Sequence, residues 1–250
     1  MHFSSERQAA ILARLDRDGR VVSTTLADEL QVSPDSIRRD LQELEAAGAL
    51  QRVHGGAVRP LAGSPQFLER LEGDDPVKDV LARRTADLLA DDQLIALGGG
   101  TTAVALARSL RRDLRATVLT SSLDVALALR THPSMTVDVL GGRLDRASQT
   151  LTGAGTVTEL ARMRPDVCVV SPCWVDLEHG VTLRERAEAD VVRTMIERSR
   201  RVIAIAPETK LGWTGPYVVA DVEHLSALVT DAPKYVAVEY GRLGIELVFP

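Results

Sequence analysis

The run Gly98-Gly99-Gly100-Thr101-Thr102 joins three residues without side chains to two hydroxyls, between an apolar segment and a helix-forming one. Glycines let backbone amides approach an anion closely. Threonine hydroxyls donate to it, and the N-terminus of the following helix adds its dipole. The chemistry that fits is the holding of a phosphate. No Gly-Lys-Ser/Thr follows, so this is not a nucleoside-triphosphate loop. Three further polar clusters follow apolar segments directly: Thr120-Ser121-Ser122, Gly141-Gly142-Arg143 and Glu208-Thr209-Lys210. A serine pair in such a place serves equally as a helix cap, and a loop lysine is often merely solvated. Lysine is rare in this chain, however: Lys78, Lys210 and Lys234 are its only ones, so arginine supplies most of its positive charge.

A second kind of chemistry stands in residues 33–58, SPDSIRRDLQELEAAGALQRVHGGAV. At about 100° per residue, Ile37, Leu41 and Leu44 share one stripe of a helix. Asp35, Arg38, Arg39 and Gln42 fall on the opposite side. Guanidinium and amide groups presented outward can bond phosphates, or read guanine and adenine edges in a major groove. Asp40, Glu43 and Glu45 offer the competing role, local ion pairs on a solvated face. The segment LQRVHGGAV then reads as two short strands about a Gly-Gly turn, where glycine supplies the backbone a tight hairpin needs. Such a hairpin beside the helix is a wing, with Arg52 and His54 placed to touch a nucleic-acid backbone.

The elements that must position these groups fall into two parts. Residues 1–58 read as three helices and the hairpin. The first carries Ile11, Leu12 and Leu15 and stops at Gly19; the second starts with Ser23 as its cap and carries Leu26 and Leu30. The third has Ser33 as cap, Pro34 at its first position and Gly48 beyond its end. The second and third, joined by the tight LQVS connection, make a helix-turn-helix with Pro34–Ala46 as recognition helix. Residues 59–76, with three prolines and no clean period, are a linker with room for a short helix. From Val77 a helix (78–90) precedes an alternation: strand 93–97, helix 102–110, strand 116–120, helix 123–130, strand 135–140, helix 155–163, strand 165–171, helix 186–199, strand 201–206 and strand 225–230. The tail, KYVAVEYGRLGIELVFP, reads as two edge strands. Apolar strands alternating with helices predict a parallel sheet covered on both faces. The polar clusters then converge on one rim at the strands' carboxyl ends, where ligands bind in such sheets.

Bulk properties narrow the classes. The 250 residues carry a net charge of -5, so any nucleic-acid contact must come from a local patch. Cys168 and Cys173 read as buried thiols, not as a disulfide or metal site. No secretory leader and no membrane-spanning run is legible, which points to a cytoplasmic protein; no metal and no cofactor are expected. Trp174 and Trp213 fall in loops beyond strand ends, near a pocket mouth or packed against loops.

The run VSxxSIRRDLxxLExxGxLxRxHGGA, with the segment around it, resembles the winged helix-turn-helix of the DeoR family of bacterial transcriptional regulators. The resemblance implies that Ser33, Ser36, Arg38, Arg39, Arg52 and His54 belong to a DNA-binding motif. Residues 77–231 resemble the same family's effector domain, through GGTT, TxSLxVA, VLGG, GVT…EADVVRTMI and TKxG in order. That domain is similar in fold to ribose-5-phosphate isomerase and the glucosamine-phosphate deaminases. The implied ligand is a phosphorylated sugar or related metabolite. Gly99, Gly100, Thr101 and Thr102 would hold its phosphate, with Ser121, Ser122, Gly141 and Lys210 around the sugar. The sequence departs from the family pattern at Gly98, where Asp is usual, at Ser121, where Asn is usual, and at Pro207-Glu208-Thr209, where Asp-Ser-Ser precedes the lysine. Trp174 stands where Gly is frequent. These departures imply an altered reading of the sugar. The expectation is a non-enzymatic repressor acting as a homo-oligomer on double-stranded operator DNA. The alternatives are a sugar-phosphate isomerase or deaminase with an accessory head, and a regulator whose sensor has fallen silent.

Overall fold

The computed structural model describes residues 4–18, 20–47, 49–53, 55–58, 67–73 and 75–250. The chain divides into two compact units, residues 1–65 and 66–250.

The first unit contains helix α1 (Ser4–Asp18), strand β1 (Arg20–Val22), helices α2 (Ser23–Glu29) and α3 (Pro34–Ala46), and strands β2 (Gln51–Val53) and β3 (Gly56–Val58). Its core joins Ile11 and Leu15 of α1, Leu26 of α2, and Ile37, Leu41 and Leu44 of α3 with Val21 and Ala57. This is the apolar stripe read from the helical period. Three details depart from the sequence reading. Ser23 is the first helical residue; Val22 stands at the cap position, without a side-chain cap. Strand β1 makes the hairpin a three-stranded antiparallel sheet in the order β1-β3-β2, which a run of only three residues did not announce. Gly56 already lies in β3, and Gly55 alone takes the left-handed backbone, at φ 78°. Gly19, Gly48 and His54 lie outside the described residues, as does most of the linker.

The second unit opens with α4 (Phe67–Glu72), the short helix for which the linker had room, and α5 (Pro76–Ala86), capped by Asp75. The helix ends four residues before the expected 90, in a turn. There follow β4 (Leu94–Leu97), α6 (Thr101–Ser109), β5 (Ala116–Thr120), α7 (Leu123–Leu129), β6 (Met135–Val139), β7 (Arg143–Asp145), β8 (Thr150–Thr152) and α8 (Ala154–Leu160). Then come β9 (Val167–Val170), β10 (Trp174–Asp176), β11 (Gly180–Leu183), α9 (Arg186–Arg198), β12 (Arg201–Ile205), β13 (Tyr217–Ala220), β14 (Ala227–Val229), α10 (Lys234–Gly241) and β15 (Glu246–Val248).

Seven strands form one parallel sheet, in the order β15-β14-β12-β9-β4-β5-β6. Period-two alternation sorts its side chains. Ile95, Leu97, Val167, Val169, Ile203 and Ile205 join α5 and α6 residues on one face. Ala96, Cys168, Val170, Val202 and Ala204 join α9 and α10 residues on the other. Burial on both faces explains the near-continuous apolar runs.

Three features of this unit were not expected. The β7–β8 hairpin stands where only a loop was read. A small antiparallel sheet, β10-β11-β13, includes Trp174, so that residue is in a strand and not a loop. Both Trp174 and Trp213 are buried, which favours the packing role over the pocket mouth. The tail supplies a helix, α10, before a single edge strand. Its Ala237 and Tyr240 pack into the core at helical spacing, and the alternation that suggested a strand is overridden by that packing.

Candidate functional sites

In the first unit the tight connection is built by Gln31, a non-glycine residue in the left-handed region at φ 52°, with the Val32 amide donating to the Ala27 carbonyl at 3.0 Å. Ser33 then caps α3: its hydroxyl accepts from the Ser36 amide at 3.2 Å, and the two hydroxyls lie 2.9 Å apart. Pro34 occupies the first turn, where a missing amide hydrogen costs nothing. Asp35, Arg38, Arg39 and Gln42 are all exposed.

The acids that competed for the arginines are engaged elsewhere. Asp40 is buried and forms a two-point ion pair with Arg7 of α1. Glu43 accepts from Gln8 at 2.7 Å. Glu45 accepts from the Arg52 backbone amide at 2.9 Å and so ties α3 to the wing. Arg38 pairs with Asp35 at 2.7 Å, and both are well exposed. An ion pair of that kind is worth about 0–1 kcal/mol and exchanges readily for another partner. Arg39 makes no ion pair among the described residues. The helix therefore presents both guanidinium groups outward, Arg38 in a weak exposed pair with Asp35 and Arg39 in no ion pair among the described residues.

In the second unit the sheet order decides where a ligand would sit. From β4 the chain winds outward through β5 and β6, then returns to the other side of β4 and continues through β9, β12, β14 and β15. The order reverses between β4 and β9. Ligands of open parallel sheets bind beyond the carboxyl ends of the strands at such a switch point. Residues 98–102 stand at the end of β4. The Gly98 amide donates to the Val169 carbonyl of β9 at 2.9 Å, so its burial is structural. Gly99 packs against β8: a Cβ there would lie 2.4 Å from the Thr150 methyl. Gly100 takes φ 99°, which only glycine adopts easily, and starts α6 with open space around its Cα. Thr102 is buried, and neither Thr101 nor Thr102 hydroxyl has a hydrogen bond among the described residues.

The neighbouring loops divide. Thr120 Oγ1 accepts from the Ser122 amide at 3.1 Å, and Ser122 Oγ accepts from the Val125 amide at 3.3 Å as the cap of α7. Those two hydroxyls are occupied by turn and cap. Ser121 is 3% exposed, and its hydroxyl has no partner among the described residues. Its carbonyl accepts from Leu151, fixing the β7–β8 hairpin over the loop. Gly141 and Gly142 end the edge strand β6, two strands away from β4. The Gly141 carbonyl accepts from Thr156 at 2.5 Å, and any side chain at Gly142 would collide with Thr156. They serve the packing of α8 and stand apart from the switch point.

Lys210 does the reverse. From the loop after β12 its Nζ donates to Ser171 Oγ at the end of β9, at 3.2 Å. It thus points toward the switch point. Burial pulls its pKa down to about 8, helped by Arg70, Lys78 and Arg184. Glu188, in the first turn of α9, is pushed up to about 7 by burial and by Asp145 and Glu185, against the pull of Arg70 and Lys210. Cys173 nearby is held above the ordinary thiol range by burial. Ser171, Arg70 and Arg184 were not picked out from the sequence, and Glu188 stood there only as the first residue of the EADVVRTMI motif. The rarity of lysine was a further signal, since Lys78 is among the charges that act on Lys210. No cluster of three metal-ligating side chains occurs among the described residues, and no described helix is long and apolar enough to cross a membrane.

A winged helix-turn-helix and a parallel sheet with an anion-type loop at its switch point define a class: DNA-binding regulators with a sensor domain. Comparison with known proteins agrees. Residues 7–61 match the DeoR-like helix-turn-helix domain and residues 75–232 the DeoR C terminal sensor domain. The HTH-type transcriptional regulator GolR of Listeria innocua is 31% identical over 92% of this chain and 91% of its own. The HTH-type transcriptional repressor GlcR of Bacillus subtilis is 31% identical, over 92% and 89%. The glycerol-3-phosphate regulon repressor of Escherichia coli is 26% identical, over 94% and 93%. The chain belongs to the DeoR family of transcriptional regulators. Among solved structures it is similar to ribose 5-phosphate isomerase A from Neisseria gonorrhoeae, at 14% identity and a TM-score of 0.41 over 56% of this chain and 54% of that one.

Proposed function

We propose that this regulator represses a carbohydrate-metabolism operon and is controlled by a phosphorylated sugar or related metabolite bound at the switch point. Relatives that repress the glycerol-3-phosphate regulon support the ligand class. The observation that carries the reading is the glycine-threonine loop of residues 98–102 at the reversal of strand order. Beside it stand the unpartnered hydroxyls of Thr102 and Ser121, with Lys210 one strand beyond. Gly99, Gly100, Thr101 and Thr102 hold the phosphate.

Operator contacts come from Arg38, Arg39 and Gln42 in the major groove, with Ser33, Asp35 and Ser36 at the helix start and Arg52 and His54 from the wing. One recognition helix per chain implies a symmetric oligomer on a palindromic or repeated operator. The ligand must bind one arrangement of the assembly better than another, or it regulates nothing. Calorimetric titration of the full chain with sugar phosphates, their unphosphorylated sugars and inorganic phosphate tests the sensor. Binding that requires the phosphoryl group supports the reading, and an inert protein contradicts it.

A second reading has one observation in its favour. Burial pushes the Glu188 carboxyl up to about 7 and pulls the Lys210 ammonium down to about 8, the directions that general acid–base groups require. Turnover of a sugar phosphate by the purified protein would establish that reading in place of pure sensing.

A further inference from the structure

The seven-stranded sheet ends in two edges of different kinds. At one, β15 has only three residues; its Glu246 pairs with Arg201 at 2.8 Å, and Arg84 donates to the Phe249 carbonyl just beyond it at 2.9 Å. A short, charged edge of this sort resists further pairing. At the other, β6 has five residues and is as long as any strand of the sheet. The Leu140 amide, one residue past its end, donates inward to the Thr120 carbonyl of β5 at 2.9 Å. Successive residues of a strand turn their N–H and C=O groups to opposite sides. Thr136 and Asp138 therefore bond β5 as Leu140 does, and Met135, Val137 and Val139 turn theirs outward. These outward groups have no hydrogen-bond partner among the described residues. Side chains alternate as well. Met135 and Val137 pack beside Val125 and Leu129 of α7 on one face of the sheet. Val139 follows on that face and is 44% exposed. Thr136 and Asp138 are exposed on the other face. A long edge with free backbone groups and an apolar face is a template for another strand.

We propose that β6 is the strand through which two copies of this chain join, pairing antiparallel about a two-fold axis into one continuous sheet. The inference rests on the reading of the regulator as a symmetric oligomer and names the surface that joins it. A two-fold axis perpendicular to a sheet reverses strand direction and keeps the same face upward, so identical edges meet antiparallel. The sequence of β6 is complementary to itself in one register. With Val137 opposite Val137 of the second copy, Met135 meets Val139. Every outward residue is then used, for about six backbone hydrogen bonds. Thr136 stands opposite Asp138 of the second copy, a hydroxyl donor facing a carboxylate, and the contact occurs twice. Centring the pair on Asp138 would set two carboxylates face to face. Centring it on Thr136 would set Val139 against Pro133, which has no N–H to give. Met135, Val137 and Val139 of both copies line one face of the seam, between the two α7 helices, and cover one another there. This self-complementarity, and not exposure alone, selects a copy of the chain as the occupant.

Sedimentation velocity of the full chain over a concentration series tests the surface, with wild type beside Val137→Pro, Thr136→Asp and Thr136→Lys. Proline at 137 removes an outward N–H and no bond to β5, so the protomer keeps its sheet while the seam is blocked. That variant should be a monomer where wild type is a dimer, and an assembly of higher order should fall to half its size. Thr136→Asp sets like charges opposite each other twice per dimer and should weaken it about 2–30-fold, whereas Thr136→Lys faces Asp138 and should not weaken it. Thr136 is exposed, so these two variants report on pairing independently of whether the proline is tolerated; circular dichroism and thermal unfolding check the fold of each. Variants that assemble as tightly as wild type overturn this surface and leave the symmetric oligomer standing. A wild type that is a monomer at every concentration overturns both.

Discussion

Replacing Glu188 by Gln should make the sensor domain more stable at alkaline pH, and the pH dependence identifies the cause. The Glu188 pKa is raised from the ordinary 4.5 to about 7. The folded state therefore holds a proton that the unfolded chain releases earlier. Between those values stability falls as pH rises, and above pH 7 the ionised carboxylate costs the fold about 3 kcal/mol, at about 1.36 kcal/mol per pH unit. Glutamine removes this term at every pH but keeps a buried amide, which costs about 1–3 kcal/mol where it lacks a partner. The amide cost does not titrate. The stability of the variant relative to wild type should thus increase by about 2–3 kcal/mol between pH 5 and pH 8. Urea unfolding followed at both pH values, without ligand, reads this difference directly. A constant gap across that range would show that Glu188 ionises as an ordinary solvated acid and would refute the desolvation argument.

Four other consequences can be checked. Asp40→Ala leaves the Arg7 guanidinium without its buried partner and should destabilise the N-terminal unit by about 3–5 kcal/mol in thermal unfolding; an unchanged melting profile contradicts the pairing. Arg39→Ala should weaken operator binding by about 1–3 kcal/mol if the side chain reads a base. If it meets a phosphate instead, the salt slope should fall by about 0.9, and in both cases the circular dichroism should be unchanged. Gly99→Ala drives a methyl into buried Thr150 and should cost about 1–3 kcal/mol by displacing the β7–β8 hairpin, measured by denaturant unfolding. Gln31→Gly relieves a left-handed backbone, so the N-terminal unit should be unharmed by the change or gain a few tenths of a kcal/mol; a clear loss of stability would assign Gln31 a contact of its own.

The sequence carried the architecture where side-chain periodicity dominated. Ile37, Leu41 and Leu44 announced the inner face of α3, and runs such as VCVV and RVIAI announced central strands, because burial on both faces leaves only apolar choices. It carried less where tertiary pairing decides. The strands β1, β7, β10 and β13, of three or four residues, are too short to show a period, and they exist because a neighbour supplies the hydrogen bonds. The segment KYVAVEY alternates like a strand, yet it becomes α10 through the packing of Ala237 and Tyr240. The candidate site was legible as loops but not as an assembly. The glycine-threonine run is local chemistry, whereas the switch point between β4 and β9 is a property of strand order. Thr120, Ser122, Gly141 and Gly142 look as polar and small as true ligand contacts, but their hydrogen bonds and packing tie them to the scaffold. Glu188 opens the EADVVRTMI motif in an amphipathic helix, but its half-burial without a hydrogen-bond partner among the described residues is visible only in the fold.

The most direct test of the central claim is fluorescence anisotropy of a labelled fragment of this gene's own upstream DNA, titrated with the full chain at fixed salt. Each sugar phosphate is added in turn, with its unphosphorylated counterpart as control. The account predicts specific binding, lost on substituting both Arg38 and Arg39 by Ala, and a shift of the binding curve by one phosphorylated compound but not by its parent. DNA binding that survives the double substitution, or that no phosphorylated compound shifts, contradicts it.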